Sequence, residues 1–316
     1  MAYDVVIVGG GPAGLNAALY LGRARRAVLL CDAGTPRNAA AAHMHGFGSR
    51  DGIPPPEFRR ISREQLLHYP NVEMRDTRVG SVEAHEGGFR VSLGDGTTVA
   101  ARRILLAVGM VDVMMEIPGY RGLWGTSIFQ CPFCHGWEAQ DQAFGVLATE
   151  PAFLDYGVVI QGWSRDVTVF THGTFAVPPE QRERLHHLGI GLEERRIRAL
   201  HGTDGRLEAV ELEDGTRLPR RILFSAPPQR QPALVTQLGL ALDELGFVKV
   251  TPMGETSVQG ICAAGDMTTR MQGALMAASA GGIAAAMMTH GLILEDANRR
   301  YTAATGKPPP VMTKGH

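Results

Sequence analysis

The feature that most limits the fold is an apolar run near the first residue that leads directly into a glycine-rich turn. Residues 5–8 read Val-Val-Ile-Val, a β-branched pattern typical of a strand buried in a parallel sheet. The turn has the spacing G-x-G-x-x-G, and Leu and Ala recur at helical spacing after it. Glycines so placed allow a tight turn, a close approach of a pyrophosphate to the backbone, and close packing of helix on strand. The candidate phosphate-binding residues are Gly9, Gly11, Pro12, Ala13 and Gly14.

A second apolar run, residues 27–31, ends at Asp32, eighteen positions after Gly14. An acidic residue at this place can bind the adenosine ribose hydroxyls of a dinucleotide. Two later strand-and-turn segments are residues 104–109 and residues 256–266. In flavoproteins with two dinucleotide sites, a glycine motif near the N-terminus is completed by a segment near the C-terminus. The chain has this arrangement, so the sequence favours FAD. The further cofactor candidates are Asp32, Ala107, Gly109, Gly265 and Asp266.

Charge and cysteine content narrow the class of protein. The chain has 31 Lys and Arg residues against 32 Asp and Glu residues, which argues against nucleic acid or a membrane surface as the main partner. We expect no membrane span and no signal peptide, and therefore a soluble cytoplasmic protein. In that compartment the four cysteines are better explained as a catalytic pair with two core residues than as a structural disulfide framework.

Cys131 and Cys134 are separated by two residues in Cys-Pro-Phe-Cys-His-Gly-Trp-Glu. Such a pair can close a small disulfide ring and pass two electrons. If Cys134 lies near a helix start, the helix dipole and a protonated His135 would favour its thiolate. Zinc is the chemical alternative, but no second CxxC or His pair lies at finger-like spacing. We therefore predict a redox pair and no metal site.

The glycine motif, the Ala-Val-Gly turn, the CxxC and the Ala-Ala-Gly-Asp segment occur in the order found in low-molecular-weight thioredoxin reductases, which the whole chain resembles. The resemblance implies an α/β fold with two Rossmann-like dinucleotide-binding domains and a homodimer. Residues 1–117 and 233–316 would form the FAD domain, and residues 118–232 a smaller inserted NADPH-type domain with the CxxC. It also implies flavin contacts from Asn38 and Gln272. His43 and His45 lie in a loop that approaches the flavin in this family, although ordinary loop histidines are the favoured interpretation.

The second dinucleotide site departs from that family. The strand at residues 144–147 leads into a turn without glycine, in which Glu150 brings negative charge and Pro151 removes a backbone N–H. The next strand ends in Thr-His-Gly and not in an arginine cluster, and residues 225–230 replace a later glycine turn. We therefore predict a degraded NADPH site, while an altered site that binds NADPH by other contacts stays open.

The CxxC segment also departs, because thioredoxin reductases usually carry an aspartate where this chain has His135. The segment resembles the FAD-dependent dithiol oxidases of gliotoxin and holomycin biosynthesis. That resemblance implies that Cys131 exchanges with the substrate and that Cys134 passes two electrons to the flavin. His135 is the proposed acid and base, which suits a histidine because its unperturbed pKa lies near neutrality. Glu138 either orients the imidazole or is a solvated surface acid.

Three functions follow. The favoured one is an FAD-dependent dithiol oxidase with oxygen as acceptor, acting on a small-molecule dithiol or a thioredoxin-like protein. The second is a disulfide reductase supplied by NADPH through an altered site or by another electron donor. The third is a redox-sensing flavoprotein without fast turnover.

Overall fold

The computed structural model describes residues 2–310, apart from the side chain of Ala2. The strands are, in chain order, β1 (Ala2–Val8), β2 (Val28–Cys31), β3 (Val72–Arg75), β4 (Val79–His85), β5 (Gly88–Leu93), β6 (Thr98–Leu106), β7 (Val111–Asp112), β8 (Ile128–Phe129), β9 (Phe144–Leu147), β10 (Val167–Phe170), β11 (Gly191–Glu193), β12 (Ile197–Thr203), β13 (Arg206–Leu212), β14 (Arg217–Pro219), β15 (Ile222–Ser225), β16 (Gln229–Arg230) and β17 (Ile261–Ala263). The helices are α1 (Pro12–Arg23), α2 (Pro55–Leu66), α3 (Tyr120–Leu123), α4 (Pro132–His135), α5 (Leu154–Ile160), α6 (Pro179–His187), α7 (Ala233–Gln237) and α8 (Ala274–Thr305). Two short 3₁₀ helices cover Pro151–Phe153 and Asp266–Thr268.

The described chain divides into two compact units. Unit 1 comprises residues 2–36, 57–110 and 231–310, and unit 2 comprises residues 37–56 and 111–230. The domain bounds and roles inferred from the sequence stay a prediction. The units differ from those bounds chiefly at residues 37–56, which group with unit 2.

Unit 1 is built on a seven-stranded sheet in the order β3-β2-β1-β6-β5-β4, with β17 also paired to β6. The pairs among β3, β2, β1, β6 and β17 are parallel, whereas β4, β5 and β6 pair antiparallel. Alternate residues of β1 enter different cores, since successive side chains of a strand point to opposite faces. Val5 and Ile7 join the cluster that includes residues of α1 and α8, while Val6 and Val8 join the cluster that includes Phe247.

Unit 2 contains a five-stranded parallel sheet in the order β11-β10-β9-β15-β8, a three-stranded antiparallel sheet and the β16-β7 pair. The redox segment follows β8, and the turn at Glu150 follows β9. Both therefore lie at the carboxyl edge of one parallel sheet, where α/β folds usually place ligands.

The long helix α8 bears on the expectation that the chain has no membrane span. By length and composition it could cross a membrane, with a mean hydropathy of 1.4 in its most apolar window. Many of its residues are Ala and Gly, and 44% of that window is buried within the fold. This feature is weak support for a membrane span, because the core helix of a soluble protein can have the same length and composition.

Candidate functional site

A glycine cradle lies at the turn between β1 and α1 in unit 1. Gly9 has a φ of 112°, and a Cβ there would lie 2.3 Å from the Ala107 carbonyl oxygen. A Cβ on Gly14 would lie 1.9 Å from the Gly9 carbonyl oxygen, so neither position tolerates a side chain. A Cβ on Gly11 would meet no atom within 4 Å. Gly11 is the N-cap of α1, with Pro12 at the first helical position, so the helix N-terminus faces open space beside the turn.

Asp32 lies at the end of β2 and next to this turn, as the sequence predicts. The residue is 6% exposed, and its carboxylate accepts the Gly34 N–H at 3.0 Å. A Cβ on Gly10 would lie 2.2 Å from its Oδ2. Arg59 of α2 donates to the same carboxylate, and Arg63 Nη1 lies 3.7 Å from Oδ2. The sequence reasoning missed both arginines, because no local pattern pairs α2 with the tip of β2.

The C-terminal segment reaches the same edge of the sheet in unit 1. Gly265 follows β17 with a φ of 86°, and a Cβ there would lie 3.1 Å from the Ala13 Cβ. The Asp266 carbonyl accepts from Gln272 Nε2 at 3.2 Å, and its carboxylate accepts the Gly273 N–H at 3.3 Å. A Cβ on Gly281 of α8 would lie 2.1 Å from the Ala13 carbonyl oxygen, so α8 packs directly on the start of α1.

These residues fit a dinucleotide. The cradle brings backbone N–H groups and open space together at a helix N-terminus, which suits a pyrophosphate, and Gly9, Gly14, Asp32 and Gly265 surround it. The isoalloxazine ring of a bound flavin would supply a two-electron acceptor. Gly109 follows β6 with a φ of 64° and open space beside it. Asn38 belongs to unit 2, where its carbonyl accepts the Ala41 N–H at 3.1 Å, so its flavin contact stays a prediction.

The predicted redox pair lies in unit 2, at the short helix α4. Cys131 is the N-cap, with Pro132 at the first helical position, and the Cys134 N–H donates to the Cys131 carbonyl at 3.3 Å. Both cysteines are partly buried and are not joined in a disulfide. A hydrogen bond from the Cys134 side chain lowers the pKa of Cys131 to about 7; the N–H groups of Cys134 and Phe133 add to it, and burial opposes it. The pKa of Cys131, the residue at the helix start, is therefore lowered, while the role of Cys134 stays a prediction.

His135 ends α4 and stacks on Phe129, with ring centroids 4.0 Å apart and an interplanar angle of 7°. Burial and the charge of His45 lower its pKa to about 4, while Glu138 and the Cys131 carbonyl oppose the shift. Both ring nitrogens are buried, and neither meets hydrogen-bond geometry with any described residue. The pKa of this imidazole thus lies below the ordinary histidine value, and its role as acid and base stays a prediction.

Glu138 does not hydrogen-bond to His135 in the described chain. Its Oε1 lies 3.4 Å from Nδ1 of His45, which also lies 3.5 Å from Oδ1 of Asp51. The carboxylate is 45% exposed and the His45 side chain only 17%. Glu138 is therefore an exposed acid that contacts His45, and both of its interpretations from the sequence stay open.

Tyr156 and Trp163 are further residues of this site that the sequence reasoning missed. The Tyr156 hydroxyl donates to the Gln130 carbonyl at 2.7 Å, and burial followed by the two redox cysteines raises its pKa. Trp163 packs edge-on against Phe133, with ring centroids 5.2 Å apart. Phe133 itself is 78% exposed. Both missed residues lie in or just after α5, and only the tertiary fold brings them to the redox pair.

The corresponding edge of β9 has no glycine cradle. Glu150 is exposed and caps the 3₁₀ helix that begins with Pro151, with extended φ and ψ of −145° and 152°. After β10, His172 takes a positive φ of 55° and accepts the Ile197 N–H through Nδ1 at 2.9 Å. Burial, together with Arg196, lowers the pKa of His172, so it adds no positive charge for a phosphate near pH 7. Within residues 2–310, no group of three or more His, Cys, Asp or Glu side chains is placed to hold a metal ion.

Comparison with known proteins identifies the family. Residues 3–281 match the pyridine nucleotide-disulphide oxidoreductases. "Thioredoxin reductase sirT" of Leptosphaeria maculans is 33% identical, over 88% of this chain and 91% of that protein. "Thioredoxin reductase tcpT" of Claviceps purpurea is 32% identical, over 92% and 95% respectively.

Solved structures agree with these relatives. The crystal structure of HlmI has a TM-score of 0.89 and 35% identity, over 97% of this chain and 98% of that one. A putative thioredoxin reductase TrxB from Bacillus anthracis has a TM-score of 0.89 and 34% identity, over 93% and 99%. The predicted fold with two dinucleotide-binding domains and the resemblance to thioredoxin reductases are confirmed. The chain therefore belongs to the pyridine nucleotide-disulphide oxidoreductase family, as a thioredoxin reductase-like flavoprotein oxidoreductase.

Proposed function

We propose that this protein is an FAD-dependent dithiol oxidase, which converts a small-molecule dithiol to its disulfide through Cys131 and Cys134 with oxygen as the acceptor. The observation that carries the proposal is the contrast between the two dinucleotide positions. The turn after β1 keeps its glycine cradle, whereas the turn after β9 has an exposed carboxylate and a proline. A pyridine nucleotide would meet negative charge and one N–H fewer at that turn.

The chemistry of the cysteines supports the same proposal. A substrate thiolate attacks Sγ of Cys131 in the oxidised pair, the Cys131–Cys134 bond breaks, and Cys134 leaves as a thiolate. The second substrate thiolate then attacks the substrate sulfur of the mixed disulfide, and Cys131 leaves. A pKa of about 7 makes Cys131 a good leaving group at neutral pH, because thiols of lower pKa leave faster. Bound FAD would return the dithiol to the disulfide by accepting two electrons.

The assay compares two electron donors under anaerobic conditions. Rapid mixing with a dithiol such as dithiothreitol is expected to bleach the flavin within the turnover time, and mixing with NADPH is expected to leave it oxidised. With oxygen present, dithiol addition is expected to consume oxygen. Cys131→Ser and Cys134→Ser should abolish this uptake, while Cys262→Ala, at a buried cysteine of β17, should retain it. Rapid bleaching by NADPH would refute the loss of the nicotinamide site.

A second function has its own support. The relatives named thioredoxin reductases favour a disulfide reductase that receives electrons from NADPH or another donor and acts on a thioredoxin-like protein. Turnover of thioredoxin with NADPH would identify this function. Slow dithiol oxidation that nevertheless changes the redox state of the pair would instead indicate a redox-sensing flavoprotein.

The remaining features of the proposal concern assembly and location. We propose a cytoplasmic homodimer. Exposed apolar side chains on α8, among them Met276, Ile283 and Ile293, support a dimer because such groups on a soluble protein favour an interface. Sedimentation of the FAD-loaded protein tests this assembly.

A further inference from the structure

The segment that carries the redox pair receives little support from its own sheet. Strand β8 has two residues and ends directly before Gln130 and Cys131. It is the last strand of the five-stranded sheet, where it pairs with β15 and forms one further bridge, between Ile128 and Trp124. Pro132 has no backbone N–H, so the ladder cannot continue through it. The orientation of Cys131 therefore depends on contacts other than those of the strand.

The side chain of Gln130 is held by a network within unit 2. Arg37 donates from Nη2 to Gln130 Oε1 at 2.9 Å, and from Nε and Nη2 to the two carboxylate oxygens of Asp112, each at 2.7 Å. Gln229 lies opposite Asp112 in the β16-β7 pair, and its Nε2 donates to Asp112 Oδ1 at 3.0 Å and to Gln130 Oε1 at 3.5 Å. A bidentate arginine–carboxylate pair fixes orientation as well as distance, so Asp112 fixes the direction from which the guanidinium reaches Gln130.

The main chain of Gln130 is held from a different element. The Tyr156 hydroxyl of α5 donates to the Gln130 carbonyl at 2.7 Å. This carbonyl belongs to the planar peptide unit that ends at the Cys131 nitrogen, so fixing it restricts how the chain enters Cys131. Four residues from separate stretches of unit 2, here called the Gln130 clamp, hold Gln130 in this way: Arg37, Asp112, Tyr156 and Gln229.

The direction of the chain at Cys131 matters for the chemistry of the pair. Cys131 is the N-cap of α4, with extended φ and ψ of −120° and 118°, and α4 carries Cys134. Thiol–disulfide exchange requires the attacking sulfur to reach one particular sulfur of the disulfide in line with the bond that breaks. Groups held in the reactive orientation react faster than mobile ones, so a fixed entry into Cys131 favours exchange at its sulfur.

We propose that Arg37 is a positioning residue of the redox pair. Through the side chain of Gln130 it holds Cys131 in the orientation in which an incoming thiolate opens the Cys131–Cys134 disulfide. In that step the substrate sulfur bonds to Sγ of Cys131 and is oxidised, the Cys131–Cys134 bond breaks, and Cys134 leaves as a thiolate with the electron pair. The choice of Cys131 as the attacked sulfur rests on the proposed function, whereas the positioning of Gln130 does not.

The experiment measures how fast dithiothreitol opens the oxidised pair in the full-length, FAD-loaded protein without oxygen. Acid quenching, alkylation of the free thiols and mass spectrometry give the opened fraction at each time. Gln130→Met removes the side-chain acceptor, changes no charge, and keeps the Arg37–Asp112 pair and the carbonyl that Tyr156 binds. A misplacement of about 1 Å can cost roughly 100-fold in rate, and Tyr156 still holds the main chain, so we expect opening to be about 10-fold slower. A general loss of structure would instead expose the disulfide and speed its opening.

Arg37→Met should slow the opening to a similar extent. The double variant Arg37→Met/Gln130→Met should be no slower than the slower single variant, because both substitutions remove the same link. Arg182→Met is the matched control. Arg182 of α6 donates to the two carboxylate oxygens of Glu194, from Nη1 at 2.5 Å and from Nη2 at 3.0 Å. Glu194 follows β11, which lies at the opposite edge of the sheet from β8, so this variant should open at the wild-type rate.

A wild-type rate in Gln130→Met would overturn the proposal. A double variant about 100-fold slower than wild type would do the same, because independent effects multiply, and so would an equal slowing in Arg182→Met. If Gln130→Met opens slowly but the wild-type protein consumes no oxygen with dithiothreitol, the proposed oxidase function fails and the positioning role stands. If oxygen is consumed but Gln130→Met opens at the wild-type rate, the proposed function stands and the positioning role fails.

Discussion

Replacing Cys134 tests whether its side chain is what makes Cys131 acidic. In the structure the hydrogen bond from Cys134 is the largest contribution that lowers the pKa of Cys131 to about 7, and burial opposes it. Cys134→Ala removes that donor and leaves the two backbone N–H groups. We therefore expect the pKa of Cys131 to return to at least the ordinary thiol value of about 8.5.

The expected size of the effect follows from the thiolate fraction. With a pKa of about 7, half of Cys131 is thiolate at pH 7. With a pKa of about 8.5, only about 3% of Cys131 is thiolate at pH 7, so the alkylation rate constant at that pH should fall roughly 15-fold. Cys134→Ser keeps a hydroxyl donor, so the alkylation rate constant of Cys131 in this variant should lie between the values for wild type and Cys134→Ala.

The assay is the pH dependence of iodoacetamide alkylation of the reduced protein, followed peptide by peptide with mass spectrometry. Cys31 and Cys262 should stay silent, because burial raises their pKa values to about 12 and about 11. Cys131→Ala provides the reciprocal control. A Cys131 midpoint that stays near 7 in Cys134→Ala would refute the reasoning, and so would a wild-type profile in which Cys134 is the acidic thiol.

Three further predictions concern the cofactor cradle and the surroundings of the redox pair. Gly14→Ala should destabilise the fold by about 1 to 3 kcal/mol, because its methyl group would lie 1.9 Å from a backbone oxygen. Gly11→Ala should fold normally but lose flavin, because a Cβ there meets no atom within 4 Å. Urea unfolding measures the stability of both variants, and the amount of bound FAD measures the loss of flavin. The pKa of His135 is lowered from 6.5 to about 4, so the unfolded chain binds this proton more readily and the free energy of unfolding falls as the pH drops from 6.5 to 4. Between these two pH values the unfolding free energy of His135→Asn should fall by about 1 to 2 kcal/mol less than that of wild type. An equal fall in the two proteins would contradict this. Tyr156→Phe removes the 2.7 Å donor to the Gln130 carbonyl and should cost about 1 kcal/mol of unfolding free energy in urea, whereas an unchanged midpoint would mean that the bond contributes nothing.

The two-domain fold and the glycine cradle could be predicted because their signals are local. A buried strand, a glycine turn and a helix follow one another within residues 5–23, and the structure has β1 and α1 there. The Glu150 turn is equally local, since the absence of glycine and the presence of proline are visible in consecutive residues. Backbone conformations that only glycine adopts readily, such as that of Gly9, can be inferred from the residue itself.

The partners of the chemical groups could not be predicted in the same way. The pattern predicts that a cysteine near a helix start has a stabilised thiolate, but it does not show where the helix begins. Helix α4 has only four residues, and so short a helix has no periodic pattern that would fix its start. His45 and Glu138 are far apart in the chain, and only the folding of unit 2 brings them within 3.4 Å of each other. The low pKa of His135 depends on its burial against Phe129.

By itself the sequence determined the fold class and the glycine cradle, and it predicts the redox pair, because each is encoded by residues close together in the chain. Only the tertiary structure decided that the pKa values of Cys131 and His135 are lowered, and which side chain contacts Glu138. These properties depend on burial and on distances between groups brought together from separate elements, and desolvation and Coulomb interactions act through space and not along the chain.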